Sequence, residues 1–188
     1  MDYILDDLQY HFDLNVLVSK EYIAFTIFIA LIICNFICLK LDVKQKLINI
    51  FLIGYMYIVF SMTVLMRIDK EPQNTARLIP FFTLINYCRF GSTITFWLGM
   101  LNILMFVPIG ILLDKRKLIY NSGKRYLIIC SAIISFSISI EALQYYLRAG
   151  VCEFDDVLMN IIGGLLGIFL NIILDKKKHF LIKCLVKG

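Results

Sequence analysis

The chain has 188 residues, 60% of them apolar and 14% aromatic, with mean hydropathy +0.81 and a formal net charge of +5. Water-soluble domains are about 45–50% apolar. Here the excess falls in long uncharged runs, and a chain this short cannot wrap several such helices in polar ones, which excludes an ordinary soluble domain.

The first stretch, MDYILDDLQYHFDLN, is acidic. A secretory leader needs a basic start ahead of its apolar core, so the first apolar run is expected to be an uncleaved span. Five runs follow in order: YIAFTIFIALIICNFICL (22–39), LINIFLIGYMYIVFSMTVLM (47–66), STITFWLGMLNILMFVPIGILL (92–113), YLIICSAIISFSISIEALQYYL (126–147) and VLMNIIGGLLGIFLNIIL (157–174). Each approaches the roughly 20 residues that a helix needs to cross a bilayer. Strand-like alternation is absent, and in hydrocarbon every backbone group must be bonded internally. The prediction is an all-α, polytopic membrane bundle of about five transmembrane helices, forming one domain over 1–188. The connection 67–91 contains LIPFFTLINY (78–87), too apolar for a water-exposed loop. It is read as a re-entrant or interfacial segment, with Pro80 breaking any helix there.

Basic residues in short loops set orientation. Lys40, Lys44 and Lys46, then Lys115, Arg116, Lys117, Lys124 and Arg125, then Lys176, Lys177, Lys178, Lys183 and Lys187 fall on one side. They outnumber Lys20, Arg67, Lys70, Arg77, Arg89 and Arg148 on the other. The first side is expected to be cytoplasmic, with the N-terminus outside and the C-terminus inside. The positive charge is thus a topology signal and implies no nucleic-acid partner; the basic tail also suits contact with membrane lipids. The six cysteines show no CxxC spacing, and there are only two His, so neither a metal site nor a cofactor is expected. Cys88 and Cys152 fall on the same predicted side, either as separate thiols or as a disulfide.

The polar residues inside the runs are few and ordered. Ser137, Glu141, Gln144, Tyr145 and Arg148 share one face of the fourth run. Asn102 lies in the outer half of the third, where Pro108 removes a helical donor. Asp156, Asn160, Gly163, Gly164 and Gly167 form a stripe on the fifth, with Gly163 and Gly167 making a GxxxG pair that admits a close helix neighbour. Charged and amide groups at membrane depth face a bundle interior or a wet cavity. Arg67, Asn102, Glu141, Gln144, Arg148, Asp156 and Asn160 are therefore candidates for one outward-opening pocket. Arg67, Arg77 and Arg148 are candidate partners of Glu141. EFDD (153–156) reads either as a divalent-cation site or as a turn in which Asp155 caps the fifth helix and Asp156 faces the pocket. The bland alternative is that these groups only hold helices together.

Four segments carry a resemblance. TVLMR (63–67) with LIPF (78–81), NILMFVPIGILL (102–113), IEALQ (140–144) and EFDDVLMNIIGGLLG (153–167) resemble, in this order and spacing, the VanZ-like family of membrane proteins. The likeness covers a core of about 60–174. It implies that Arg67, Pro80, Asn102, Pro108, Gly110, Glu141, Gln144, Asp156, Asn160 and Gly163 match the family's characteristic positions. Pro80, Pro108, Gly110 and Gly163, with Gly167 of the GxxxG pair, are read as structural. The chain departs from the pattern at Gly150, where the family commonly has an arginine, with Arg148 two residues earlier; Glu153 stands for a family Asp. The resemblance implies a multi-pass protein of the bacterial cell membrane. The family's named member is similar to accessory proteins of low-level glycopeptide resistance, teicoplanin more than vancomycin.

Two readings of function follow. In the first, a non-enzymatic pocket binds an amphiphile, either a lipid-linked wall precursor or a lipoglycopeptide. In the alternative, an intramembrane enzyme uses Glu141 or Asp156 as acid or base on a lipid-linked substrate, with an arginine holding its anion. No nucleotide-binding motif occurs in the chain, and the inner halves of the first four helices are too apolar for a transporter. GxxxG is also compatible with a homo-oligomer.

Overall fold

The computed structural model describes residues 22–37, 41–68, 73–91, 93–115 and 122–187. Expectations about the acidic N-terminal stretch, Lys20, Cys38, Lys40, Lys70, Arg116 and Lys117 lie outside the described residues, as do those about the side chains of Lys178, His179, Cys184 and Lys187. The elements in chain order are α1 (Tyr22–Ile37), α2 (Val43–Thr63), a 3-10 turn (Leu65–Arg67), β1 (Gln73–Arg77), α3 (Phe82–Phe90), α4 (Thr93–Lys115), α5 (Ser122–Leu147), β2 (Ala149–Glu153) and α6 (Phe154–Lys187).

Four stretches are long and apolar enough to cross a membrane: Val43–Arg67, Thr93–Lys115, Lys124–Leu147 and Phe154–Lys177. The first run forms a shorter helix of 16 residues. The last, no longer than the first as an apolar run, becomes the longest helix at 34 residues, because it starts directly at the end of β2 and continues into its lysine-rich tail. Helix α4 runs through Pro108. The segment at 78–91 divides at Pro80–Phe81 into a turn and the nine-residue α3. At about 13 Å, α3 is far too short to span hydrocarbon. Its Leu84, Ile85, Tyr87 and Phe90 are exposed.

The chain divides into two compact units. One collects the described residues up to Ile79 together with Ile138–Phe154. In it α1 packs on α2 through a buried amide pair, Asn49 Nδ2 donating to Asn35 Oδ1 at 2.9 Å, and through Phe28 stacked on Tyr57 at 4.7 Å. Its most buried apolar side chains, Val59, Val64, Met66, Ile140 and Ala149, are at most 2% exposed. They belong to the end of α2 and the 3-10 turn that follows it, the last turns of α5 and the start of β2. β1 and β2 form a parallel pair in the register Gln73↔Ala149 through Arg77↔Glu153. This ribbon departs from the expectation of helices alone. Its segments, QNTAR and AGVCE, are too short and too mixed to show a period of two, and the pairing joins residues 76 apart in sequence.

The other unit collects Pro80–Ser137 and the chain from Asp155 onward. Here α4 and α6 meet backbone to backbone. A Cβ added at Gly163 would lie 2.2 Å from the Ile103 carbonyl oxygen, one at Gly167 2.1 Å from that of Val107, and one at Gly110 2.1 Å from that of Gly164. A Cβ at Gly164 would strike Ile133 of α5 at 2.7 Å. The GxxxG pair of α6 is thus filled by α4 of the same chain. Phe106, Ile109, Ile133 and Ile168 are buried in this unit.

Candidate functional site

The polar residues of the first unit gather at the ribbon. Helix α5 ends where Arg148 takes a left-handed conformation, φ 54°, and the chain turns into β2 with Gly150 at φ 142°. Three side-chain contacts hold this reversal. Gln144, 4% exposed, donates from Nε2 to the Thr63 carbonyl at 2.9 Å. That carbonyl lies in the last turn of α2 and has no partner within its own helix. Glu141, also 4% exposed, accepts the backbone N–H of Glu153 at 2.8 Å. Arg77 and Glu153, opposite one another in the ribbon register, form an ion pair at 2.7 Å. Cross-strand pairs of opposite charge stabilise such a ribbon.

Arg67 ends the 3-10 turn after α2. Its Nη1 lies 3.8 Å from the point that a Cβ on Gly150 would occupy, so the guanidinium packs beside the glycine. Its Nε is buried without an acceptor. Among the described residues no ion pair joins Arg67 or Arg148 to a carboxylate. Glu141 accepts a main-chain amide, and Glu153 pairs with Arg77. Gln144 keeps a second unused group, its buried Oε1.

Of the residues expected to line one pocket, the structure places Arg67, Glu141, Gln144 and Arg148 in the first unit and Asn102, Asp156 and Asn160 in the second. Asn160, 4% exposed, donates from Nδ2 to Ser137 Oγ at 3.0 Å, fastening α6 to α5. Asn102 and Asp156 are half-buried on α4 and α6. Asp155, expected to cap its own helix, instead lies inside α6 and caps α3. Its carboxylate accepts the N–H of Phe81 at 2.6 Å and of Thr83 at 2.7 Å. The reason is geometric: α6 begins at Phe154, so Asp155 is already helical and its side chain is free to serve a neighbour's unsatisfied amides. Cys88 and Cys152 are both thiols, with no disulfide between them. Among the described residues no group of three or more acidic, His or Cys side chains is placed to hold a metal ion, EFDD included.

A second buried polar cluster escaped the sequence reading. Asp114, the residue after the third apolar run (92–113), is the penultimate residue of α4 and 3% exposed. Its Oδ1 accepts Arg125 Nη2 at 2.7 Å and its Oδ2 accepts Asn171 Nδ2 at 2.8 Å. The available signal was the helical length of the third run, which carries two residues further than its last apolar side chain.

Long apolar helices and a small set of buried, mutually bonded polar side chains define a polytopic membrane protein with a structured polar head. The comparison with known families agrees: residues 47–175 match the family model described as VanZ/LLP1. The match takes in more than half of the chain and all four motif segments, and the chain belongs to this family. No curated protein and no solved structure matches it.

Proposed function

We propose that this protein acts in the bacterial cell membrane, with its ribbon end outward, as a binding protein for the anionic headgroup of an amphiphilic or lipid-linked envelope ligand. One observation carries the reading. Arg67 presents a guanidinium beside Gly150, with no carboxylate of the described chain to neutralise it. A partly buried, unpaired guanidinium is costly to keep, and a planar fork of donors suits a phosphate or carboxylate. Arg148, exposed at the turn two residues before Gly150, supplies a second cation. Glu141 and Gln144 shape the site by holding β2 and the end of α2.

Family membership supports an envelope role, and a lipid-linked wall precursor or a lipoglycopeptide fits the chemistry. Sequestering either would lower the access of teicoplanin to its target. The alternative, an intramembrane enzyme with Glu141 as acid or base, draws on the near-complete burial of that carboxylate.

The test is teicoplanin susceptibility of a sensitive Gram-positive host carrying the wild type, Arg67→Gln, Glu141→Gln or no protein, at matched membrane levels. Protection by the wild type that is lost in Arg67→Gln and partly kept in Glu141→Gln supports binding. Loss in Glu141→Gln as complete as in Arg67→Gln moves the reading to acid–base chemistry, because an amide can accept the Glu153 N–H but cannot transfer the proton. No protection by the wild type removes the glycopeptide role.

A further inference from the structure

A cavity of about 520 Å³ opens at the Lys115–Lys124 end of the second unit, and no residue of the ribbon cluster lines it. Asp114, Arg125, Tyr126, Asp175, Lys176 and Lys183 line it. We infer that it seats the phosphodiester headgroup of an anionic glycerophospholipid.

Charge is the first argument. Asp114 and Arg125 cancel one another, since the carboxylate takes Arg125 Nη2 on one oxygen and Asn171 on the other. Arg125 also donates to the Asp114 main-chain oxygen, which fixes the guanidinium in place. Among the described residues Asp175, Lys176 and Lys183 have no ion-pair partner. Among the described lining residues the unspent charge is therefore one carboxylate against two ammonium groups, which matches a single negative charge. A phosphodiester carries one such charge.

Hydrogen bonding is the second argument. Arg125 spends its Nη2 on Asp114, and its Nε is buried. The exposed ammonium groups of Lys176 and Lys183 are the donors left in the lining, and phosphate oxygens are acceptors of the right kind.

Depth is the third. The cavity residues sit where the spans Thr93–Lys115, Lys124–Leu147 and Phe154–Lys177 end. That is the level of lipid headgroups, and basic pockets between helices there recognise them. One turn into the spans, Leu127 is 68% and Leu174 56% exposed, offering apolar surface for acyl chains that a soluble phosphate would not use.

Native mass spectrometry of the full chain in detergent tests this. The added ligands are phosphatidylglycerol, phosphatidylethanolamine, phosphatidylcholine and free glycerol phosphate. The wild type is expected to retain phosphatidylglycerol about tenfold better than phosphatidylcholine. Lys176→Gln with Lys183→Gln should abolish that preference, while Lys177→Gln, an exposed lysine outside the cavity, should keep it. These lysines are all exposed, so an unchanged unfolding temperature is expected for each variant and serves as the control of folding. A double variant that keeps the wild-type preference overturns the proposal. So does an equal loss in Lys177→Gln, which would make the effect one of general surface charge. Displacement of phosphatidylglycerol by an equal concentration of glycerol phosphate overturns the lipid assignment, as does equal retention of the ethanolamine lipid.

Discussion

Asp155 shows how a single carboxylate can position a segment that has little else to hold it. Helix α3 is short and mostly exposed, and the first amides of a helix find no acceptor within it. Hydrogen bonds to a charged acceptor contribute about 1.5–3 kcal/mol each. Asp155→Ala is expected to destabilise the protein by roughly that amount or more, read as a lower unfolding temperature in detergent. It should also speed hydrogen exchange at Phe81 and Thr83. Unchanged exchange would mean that α3 is held by other contacts. The acid itself was legible in EFDD; its recipient was not, since Phe81 and Thr83 are more than 70 residues away and nothing in a helix-start pattern names the helix being capped. Asp114 teaches the converse. It is a charge at a run's end that reads as loop yet is buried against Arg125 and Asn171. Asp114→Ala leaves Arg125, 24% exposed, without its counter-charge, and a cost of about 3 kcal/mol is expected in the same measurement.

Among the elements, the crossing of α4 and α6 is the most demanding. Added methyl groups at Gly110, Gly163 or Gly167 would sit about 2 Å from a carbonyl oxygen of the facing helix, and backbone cannot step aside as a side chain can. Overpacking of this kind costs about 1–3 kcal/mol or more. Gly163→Ala and Gly110→Ala should each lower the unfolding temperature. Gly99→Ala, whose nearest neighbours are side-chain atoms at 3.7 Å, should not. Similar losses at all three positions would contradict the close crossing. The spacing of these glycines is plain in the sequence, as are the apolar runs, because hydrocarbon imposes length and composition directly. The ribbon is a different case. Its strands carry no periodic signal, and its stability comes from the parallel pairing with β1, the Arg77–Glu153 ion pair and the Glu141 contact to β2. Glu141 and Gln144 could be picked out as polar groups in an apolar run. That they brace the reversal after α5 could not.

At the scale of the whole molecule, the basic residues of the sequence bear on orientation. In the second unit the ends of α4 and α6 and the start of α5 carry Lys115, Lys176, Lys177, Lys124 and Arg125; in the first, Arg67, Arg77 and Arg148 lie at or near the ribbon, Arg77 paired with Glu153. The proposed orientation puts the ribbon outward. With the six native cysteines replaced, Arg148→Cys in whole cells should react with a membrane-impermeant thiol reagent, and Lys177→Cys should react only after lysis. Both positions are exposed, so burial does not confound the result. The reverse labelling would invert the topology and place the Arg67 cluster inside.

The account turns on Arg67 as an anion-binding group. Its most direct test is retention of a polyprenyl pyrophosphate, against the matching uncharged polyprenol, by purified wild type and Arg67→Gln. The account predicts that the wild type prefers the pyrophosphate and that Arg67→Gln loses about tenfold or more of that preference. Equal retention of the charged and uncharged lipids by the wild type, or an undiminished preference in Arg67→Gln, would contradict it.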